Sequence, residues 1–189
     1  KDGFEADDLV ATIANKAKSQ CQVFIMSGDL DNLQLVDDKV KVYTMGKGIK
    51  ETLVYDAEKV RERFGVDPQQ MNDFKALTGD NSDNVPGVPG IGKKTAAEII
   101  QQYGTLENLY TEIATDTALL KPKIKEALKT NRAQAFLSLE LVKTDQDVDI
   151  DFSLQSCQFG RYDKKNILSI FSELGFNTLA GKLDSLYSF

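Results

Sequence analysis

Histidine is absent from this chain. Without an imidazole there is no Ser-His-Asp or Cys-His nucleophile and no zinc–histidine centre, so the chemistry of any site falls to carboxylates. Sites built from oxygen alone favour Mg²⁺ or Mn²⁺. Cysteine is scarce: Cys21 and Cys157 lie far apart and form no ligand pattern, which predicts reduced thiols in a cytoplasmic setting. No apolar run approaches the roughly 18 residues of a membrane span, and Lys1-Asp-Gly-Phe4 has no signal-peptide character. Internal repeats and low-complexity tracts are also missing. What is present, 189 residues with 41% hydrophobic and 28% charged, suits one large domain or one with a small appendage.

Acids are in excess, 29 Asp and Glu against 23 Lys and Arg, for a formal charge of −6. Domains that touch nucleic acid are usually basic, so an even spread of that charge would argue against such a partner. The spread is uneven. Glu5, Asp7 and Asp8 form one group, Asp29 and Asp31 a second, Asp80 and Asp83 a third; two divalent ions, +4 together, would bring −6 to −2. Acids before a helix complement its dipole, and Ser27-Gly-Asp29 reads equally as a simple turn. Three acids at residues 5 to 8 nevertheless exceed what capping requires. Asp29 and Asp31 follow the apolar run Val23–Met26, at the strand end where open α/β sheets keep their ligands.

The third group opens the most unusual stretch, Thr78-Gly-Asp-Asn-Ser-Asp-Asn-Val-Pro-Gly-Val-Pro-Gly-Ile-Gly-Lys-Lys-Thr-Ala-Ala97. Its glycines and prolines forbid regular structure until Lys93. A helix is expected from there to Tyr103, with Ala96, Ile99 and Ile100 on one face and Gly104 as its stop; Pro68 opens a preceding helix over residues 69–77. The unit is helix, hairpin, helix. Backbone N–H groups around Gly87, Gly90, Ile91 and Gly92, a helix N-terminus, and Lys93, Lys94 and Thr95 make the parts of an anion site. Gly87-x-x-x-x-Gly92-Lys93 matches a nucleotide-binding P-loop up to its last position, where Lys94 replaces the metal-binding Ser or Thr, and no apolar strand precedes it. The alternative anion is a DNA phosphate, held without sequence readout.

Elsewhere the pattern is plainer. Residues 5–19 read as a helix with Leu9, Val10, Ile13, Ala14 and Ala17 on one face, and Val23–Met26 as a strand buried in a parallel sheet. Val40–Met45, a turn at Gly46-Lys-Gly48 and Ile49–Tyr55 read as an edge hairpin, and Asp56 caps a helix ending at Phe64 and Gly65. Leu106, Leu109, Tyr110 and Ile113 form a further helix face. Lys121, Lys123, Lys125, Lys129 and Arg132 make the one basic segment, either a solvated face or a phosphate contact. Asp145, Asp147, Asp149 and Asp151 alternate with hydrophobes in an extended exposed segment outside the site. Amphipathic helices close the chain over residues 162–174 and 177–186.

The motifs Gly3-Phe-Glu-Ala-Asp-Asp8, Ser27-Gly-Asp-Leu-Asp31 and Thr78 to Ala96, in this order and spacing, resemble the 5′ nuclease domain of bacterial DNA polymerase I, a family that includes flap endonucleases. The resemblance covers essentially the whole chain. It implies an α/β fold: residues 1–66 as part of a parallel-sheet nuclease core, and 67–189 as a mostly helical DNA-binding region with a helix-hairpin-helix over 67–103. The implied activity is hydrolysis of DNA phosphodiesters near 5′ ends or flaps in replication and repair, as a 5′-3′ exonuclease or flap endonuclease. Glu5 and Asp7 would serve a first Mg²⁺ or Mn²⁺, with Asp8 nearby. Asp29, Asp31 and Asp83 would serve a second, with Asp80 close by or acting through water. The hairpin would hold the duplex, with a K⁺ ion among its carbonyls, and a polymerase domain would belong to the same full-length protein. Metal-activated water attacking phosphorus in line is the implied mechanism.

Members of that family carry roughly another hundred residues before the first motif, so the chain resembles the C-terminal two-thirds of such a domain, with impaired cleavage expected of it alone. A non-catalytic duplex-binding scaffold and a nucleotide-binding switch are the other classes open. The seven carboxylates argue against the scaffold, and Lys94 argues against the switch.

Overall fold

Helix α1 (Ala6–Ala17) begins where Glu5, in extended backbone, gives its N–H to the Asp8 carboxylate at 3.0 Å, a local bond that fixes the helix start. Its buried residues are Ala11, Thr12, Ala14 and Ala17, whereas Ile13 of the expected apolar face is 37% exposed. Thr12 accounts for this rotation. Its hydroxyl donates to the Asp145 carbonyl (3.4 Å) and accepts from the Val148 N–H (3.0 Å), drawing residues 145–150 along α1 as a strap. Val148 is buried while Asp145, Asp147 and Asp149 face solvent, as the alternation predicts.

The computed structural model describes residues 1–45, 52–158 and 163–183 and divides the chain into two compact units, Lys1–Ile150 and Asp151–Phe189. In the first, β1 (Val23–Met26) pairs in parallel with β2 (Val40–Met45), which pairs antiparallel with β3 (Thr52–Tyr55). The expected turn at residues 46–48 and the start of Ile49–Tyr55 lie outside the described residues. Strand β1 is parallel as expected but not buried on both faces. Ile25 is buried with Val42 and Tyr55, its neighbours across the sheet, while Phe24 and Met26 are 56% and 73% exposed. Helices cover one face of the sheet in this unit, and alternation along the strand decides the rest.

Asp56 accepts the Lys59 N–H and starts α2 (Ala57–Phe64), which Gly65 ends in left-handed backbone. A 3₁₀ turn, Pro68–Gln70, leads into α3 (Met71–Thr78), and this helix is central. Five of its eight residues are buried, and it packs against α7 (Arg132–Val142) and α4 (Lys93–Tyr103). Helices α5 (Leu106–Ala114) and α6 (Pro122–Thr130) complete the unit, with the Tyr110 hydroxyl donating to the Leu128 carbonyl at 3.0 Å. The second unit holds a 3₁₀ turn, Leu154–Cys157, then α8 (Lys164–Glu173), capped by Asp163, and α9 (Asn177–Lys182). Tyr162 and residues 184–186 of the expected closing helices lie outside the described residues. No described helix is long and apolar enough to cross a membrane.

Asp73 shows how α3 organises its neighbours. It is 8% exposed and accepts the Leu106 N–H at 2.7 Å, fixing the first turn of α5. Burial raises its pKa above the usual 3.8, the backbone bond opposing. Because the folded pKa is the higher one, stability falls as pH rises from the unfolded-state value through the folded-state value. Asp73→Ala, which orphans a buried N–H, is expected to cost about 1–3 kcal/mol in chemical denaturation. Asp73→Asn keeps an acceptor without the charge, and its stability relative to wild type is expected to improve between pH 3 and pH 7.

Candidate metal centre and nucleic-acid interface

The turn after β1 is built from its own side chains. Ser27 Oγ accepts the Asp29 N–H (3.0 Å), and Asp29 accepts the Asp31 N–H (2.9 Å), capping a 3₁₀ helix, Leu30–Leu35. Asn32 in that helix is fully buried and donates to Asp7 Oδ1 (3.2 Å) and Ser27 Oγ (3.4 Å), linking the first turn of α1 to the end of β1. Gln34 donates to the Asp31 and Val142 carbonyls (3.0 and 3.1 Å) and accepts from Thr144, tying the same helix to the end of α7.

The third acidic group leaves α3 in a tight loop. Asp80 and Val85 exchange backbone hydrogen bonds (2.9 and 2.8 Å), Asn84 takes left-handed backbone, and Asp83 projects from the tip. Asparagine tolerates that conformation because its short side chain can bond locally. The loop returns across itself at two glycines. A Cβ on Gly87 would lie 2.3 Å from the Gly79 nitrogen, and one on Gly79 would lie 2.7 Å from the Val85 carbonyl oxygen, both at positive φ.

Through this loop Asp31, Asp80 and Asp83 come together, each offering a carboxylate oxygen, all within 4.8 Å of one another. Lys75 Nζ, in the last turn of α3, donates to both Asp31 and Asp80, the latter at 2.9 Å. Hydrogen bonds from Ser82 and then Lys75 hold the Asp80 carboxyl down at about 2. The other predicted ligands stand differently. Both Asp8 oxygens accept backbone N–H groups, from Glu5 and from Asp145 (2.8 Å). Asp29 caps its 3₁₀ helix, Asp7 receives Asn32, and exposed Glu5 precedes α1.

The anion elements divide as well. Gly87 is buried, its N–H bound to Ser138 Oγ (3.1 Å) and its carbonyl to Gln134 (2.7 Å), both from α7. The Ile91 N–H goes to the Val88 carbonyl. Gly90, Gly92, Lys93 and Lys94 are exposed, with Thr95 half-buried. Gly92 is the N-cap of α4, supplying no side-chain cap, and the first turn of α4 carries no acid. Such a helix start leaves its N–H groups for an external anion. A cleft of about 780 Å³ is lined by Asp29, Asp31, Lys75 and Asp80 and also by Gly92 and Lys93, joining the carboxylates to that helix start.

Asn32, Gln34 and Lys75 were not singled out by sequence reasoning. No local pattern marks Asn32, which stands among the polar residues Asp31 and Gln34 and is buried only by the fold.

The chain matches the profiles of the 5′-3′ exonuclease N-terminal resolvase-like domain over residues 1–65 and of the 5′-3′ exonuclease C-terminal SAM fold over 66–165. It belongs to the 5′-3′ exonuclease family. It is 38% identical over 185 residues to DNA polymerase I of Bacillus caldotenax, covering 97% of this chain and 21% of that protein. The chain thus spans about a fifth of the polymerases it matches. Among solved structures it is similar to the T5 5′-exonuclease with divalent metal ions (zinc) bound, at TM-score 0.65 and 30% identity, covering 76% of this chain and 51% of that one. It is also similar to the T5 flap endonuclease in a pseudo-enzyme-product complex with DNA and metal ions, at TM-score 0.64 and 29% identity, covering 76% and 50%.

The glycine crossing gives a stability test. Gly87→Ala, with its Cβ driven into backbone at positive φ, is expected to lose about 3 kcal/mol or more in thermal or urea unfolding. Gly92→Ala meets no atom within 4 Å at ordinary φ and is expected to lose less than about 1 kcal/mol.

Proposed function

We propose that the chain is the metal-binding and duplex-binding part of a structure-specific 5′ nuclease that hydrolyses DNA phosphodiesters near 5′ ends or flaps in replication and repair. The supporting observation is the single cleft shared by Asp31, Asp80 and the exposed start of α4. It brings carboxylates within reach of a strand whose phosphates rest on Gly92, Lys93 and Lys94. In this reading residues 1–66 supply the α/β part of the metal-binding core, and 67–189 supply the duplex-binding region together with Asp80 and Asp83, which complete the metal site. A polymerase in the same polypeptide and a cytoplasmic setting belong to the same proposal, in keeping with the polymerase relatives.

The donor set fits a hard divalent cation, since the three candidate ligand atoms are all carboxylate oxygens. Asp31, Asp80 and Asp83 would hold one Mg²⁺ or Mn²⁺, with Asp29 bordering it; Glu5 and Asp7, with Asp8, would serve another. When bound, the ions supply Lewis-acid stabilisation of charge on the reacting phosphate and lower the pKa of attacking water. The chain's own residues do the rest. Asn32 holds Asp7 in place, Gln34 fixes the 3₁₀ helix carrying Asp31, and the crossed loop holds Asp80 and Asp83. Gly90, Gly92, Lys93, Lys94 and Thr95 receive the duplex backbone, while Gly87 and Ile91 shape the hairpin, whose remaining carbonyls suit K⁺.

The metal reading is tested by melting. Mn²⁺ at a hundredfold excess over its Kd is expected to stabilise the protein by about 2.7 kcal/mol. Asp31→Asn combined with Asp83→Asn should remove the share of that gain that the Asp31, Asp80 and Asp83 cluster supplies, and an undiminished gain in the double variant would contradict the site. The duplex reading is tested by binding at several salt concentrations. Lys93→Ala and Lys94→Ala should weaken duplex binding equally for all sequences, each lowering the salt slope by about one. Mg²⁺-dependent release of 5′ products from flap DNA by the full-length protein should vanish with Asp83→Ala; duplex binding without metal-dependent cleavage would mark a scaffold instead.

A further inference from the structure

Lys75 has no part in either half of that proposal, yet it occupies the middle of the carboxylate cluster. Its side chain is 12% exposed, and its Nζ bonds two of the three clustered acids, Asp31 and Asp80, whose side chains are 19% and 21% exposed. We infer that Lys75 is a built-in counter-cation of this site: it holds Asp31 and Asp80 together when no divalent ion is bound and withdraws into the adjoining cleft when one binds. The inference rests on the metal reading of Asp31, Asp80 and Asp83.

The physical case has three steps. Three carboxylates with oxygens within 4.8 Å of one another repel, and burial strengthens that repulsion. A single ammonium reaching two of them offsets much of it, keeping the helix after β1 and the loop after α3 in register before any ion arrives. A divalent ion, however, needs the same oxygens at about 2.0–2.6 Å. An ammonium left on Asp31 and Asp80 would then sit within a few ångströms of the ion and repel it. The lysine must yield, and the fold lets it. The Lys75 backbone is fixed by its carbonyl, which accepts the Gly79 N–H at 2.8 Å, but the four-carbon stem is flexible and lines the cleft of about 780 Å³. Metal affinity is therefore set by competition with a tethered cation.

Mn²⁺ titration at fixed pH, followed by calorimetry and by melting, tests this in wild type and Lys75→Met. The variant should melt at a lower temperature without metal, and its apparent Kd for Mn²⁺ should fall about tenfold as the competitor is removed. Lys75→Arg, which keeps the charge, should show no such tightening. A measurement on wild type needs no variant. Acetylation of Lys75, read by mass spectrometry, should rise when Mn²⁺ saturates the protein while that of exposed Lys123 stays constant. Equal or weaker Mn²⁺ binding by Lys75→Met overturns the inference, as does Lys75 labelling unchanged by bound Mn²⁺. Mn²⁺ binding undiminished in affinity and stoichiometry by Asp31→Asn with Asp83→Asn overturns the metal reading itself, a result distinct from either.

Discussion

The crossing of the chain at Gly79 and Gly87 is the constraint on which the site depends. The Leu77 carbonyl accepts the Val88 N–H at 2.9 Å, so the end of α3 and the return strand of the loop lie against each other with no room for a side chain. One contact therefore sets two positions. On one side of the crossing it fixes Asp80 and Asp83, and on the other the hairpin that delivers Gly92 and Lys93 at the start of α4. Catalytic geometry tolerates displacements of well under 1 Å. A crossing of two glycine backbones is stiff enough to meet that demand, where a longer polar loop would not be.

Helix α7 extends this control to the other half of the site. Gln134 in its first turn and Ser138 hold the two polar groups of Gly87; at and just past its end, the Val142 carbonyl and Thr144 hold Gln34, one 3₁₀ turn from Asp31. The hairpin that would bear a phosphate and the 3₁₀ helix that carries Asp31 of the acidic cluster are thus braced by the same eleven-residue helix. Its apolar side packs on α3, which carries Lys75. Movement of either arm is transmitted through packed helices, which shift as units and do not deform continuously.

Elements whose signal is local were legible in the sequence. Helix α4 runs over the expected residues because Gly92 and Gly104 punctuate it, and α2 starts and stops at Asp56 and Gly65 for the same kind of reason. The family, too, was readable from three motifs. Features set by distant contacts were not. The face of α1 is turned by a strap more than 130 residues away in sequence, and the outer face of β1 is left bare by what packs elsewhere. The hairpin pattern and the helix start after it group Gly87 with the anion contacts, whereas its amide is bound inside the protein by Ser138. Lys75 was invisible as a site residue because a lysine in an amphipathic helix ordinarily points to water; only the fold brings two carboxylates to it.

How a chain of net charge −6 could receive the proposed polyanion follows from where the acids lie. Asp145, Asp147 and Asp149 are exposed along the strap over α1, and none lines the cleft. Asp116 is turned outward, paired with Lys125 of the basic segment, whose ammonium holds its carboxyl below the usual range. Within the cleft, Lys75 offsets part of the charge on Asp31 and Asp80, and Lys93 adds another cation at the mouth. Electrostatic attraction is decided over about a Debye length, roughly 8 Å at physiological salt, not by the total. Acids outside that range would oppose an approaching phosphate little, and acids inside it are the ones a cation would have to neutralise first. In the proposed function, loading the cluster and admitting the substrate would be coupled steps, because an unneutralised cluster would repel a phosphate.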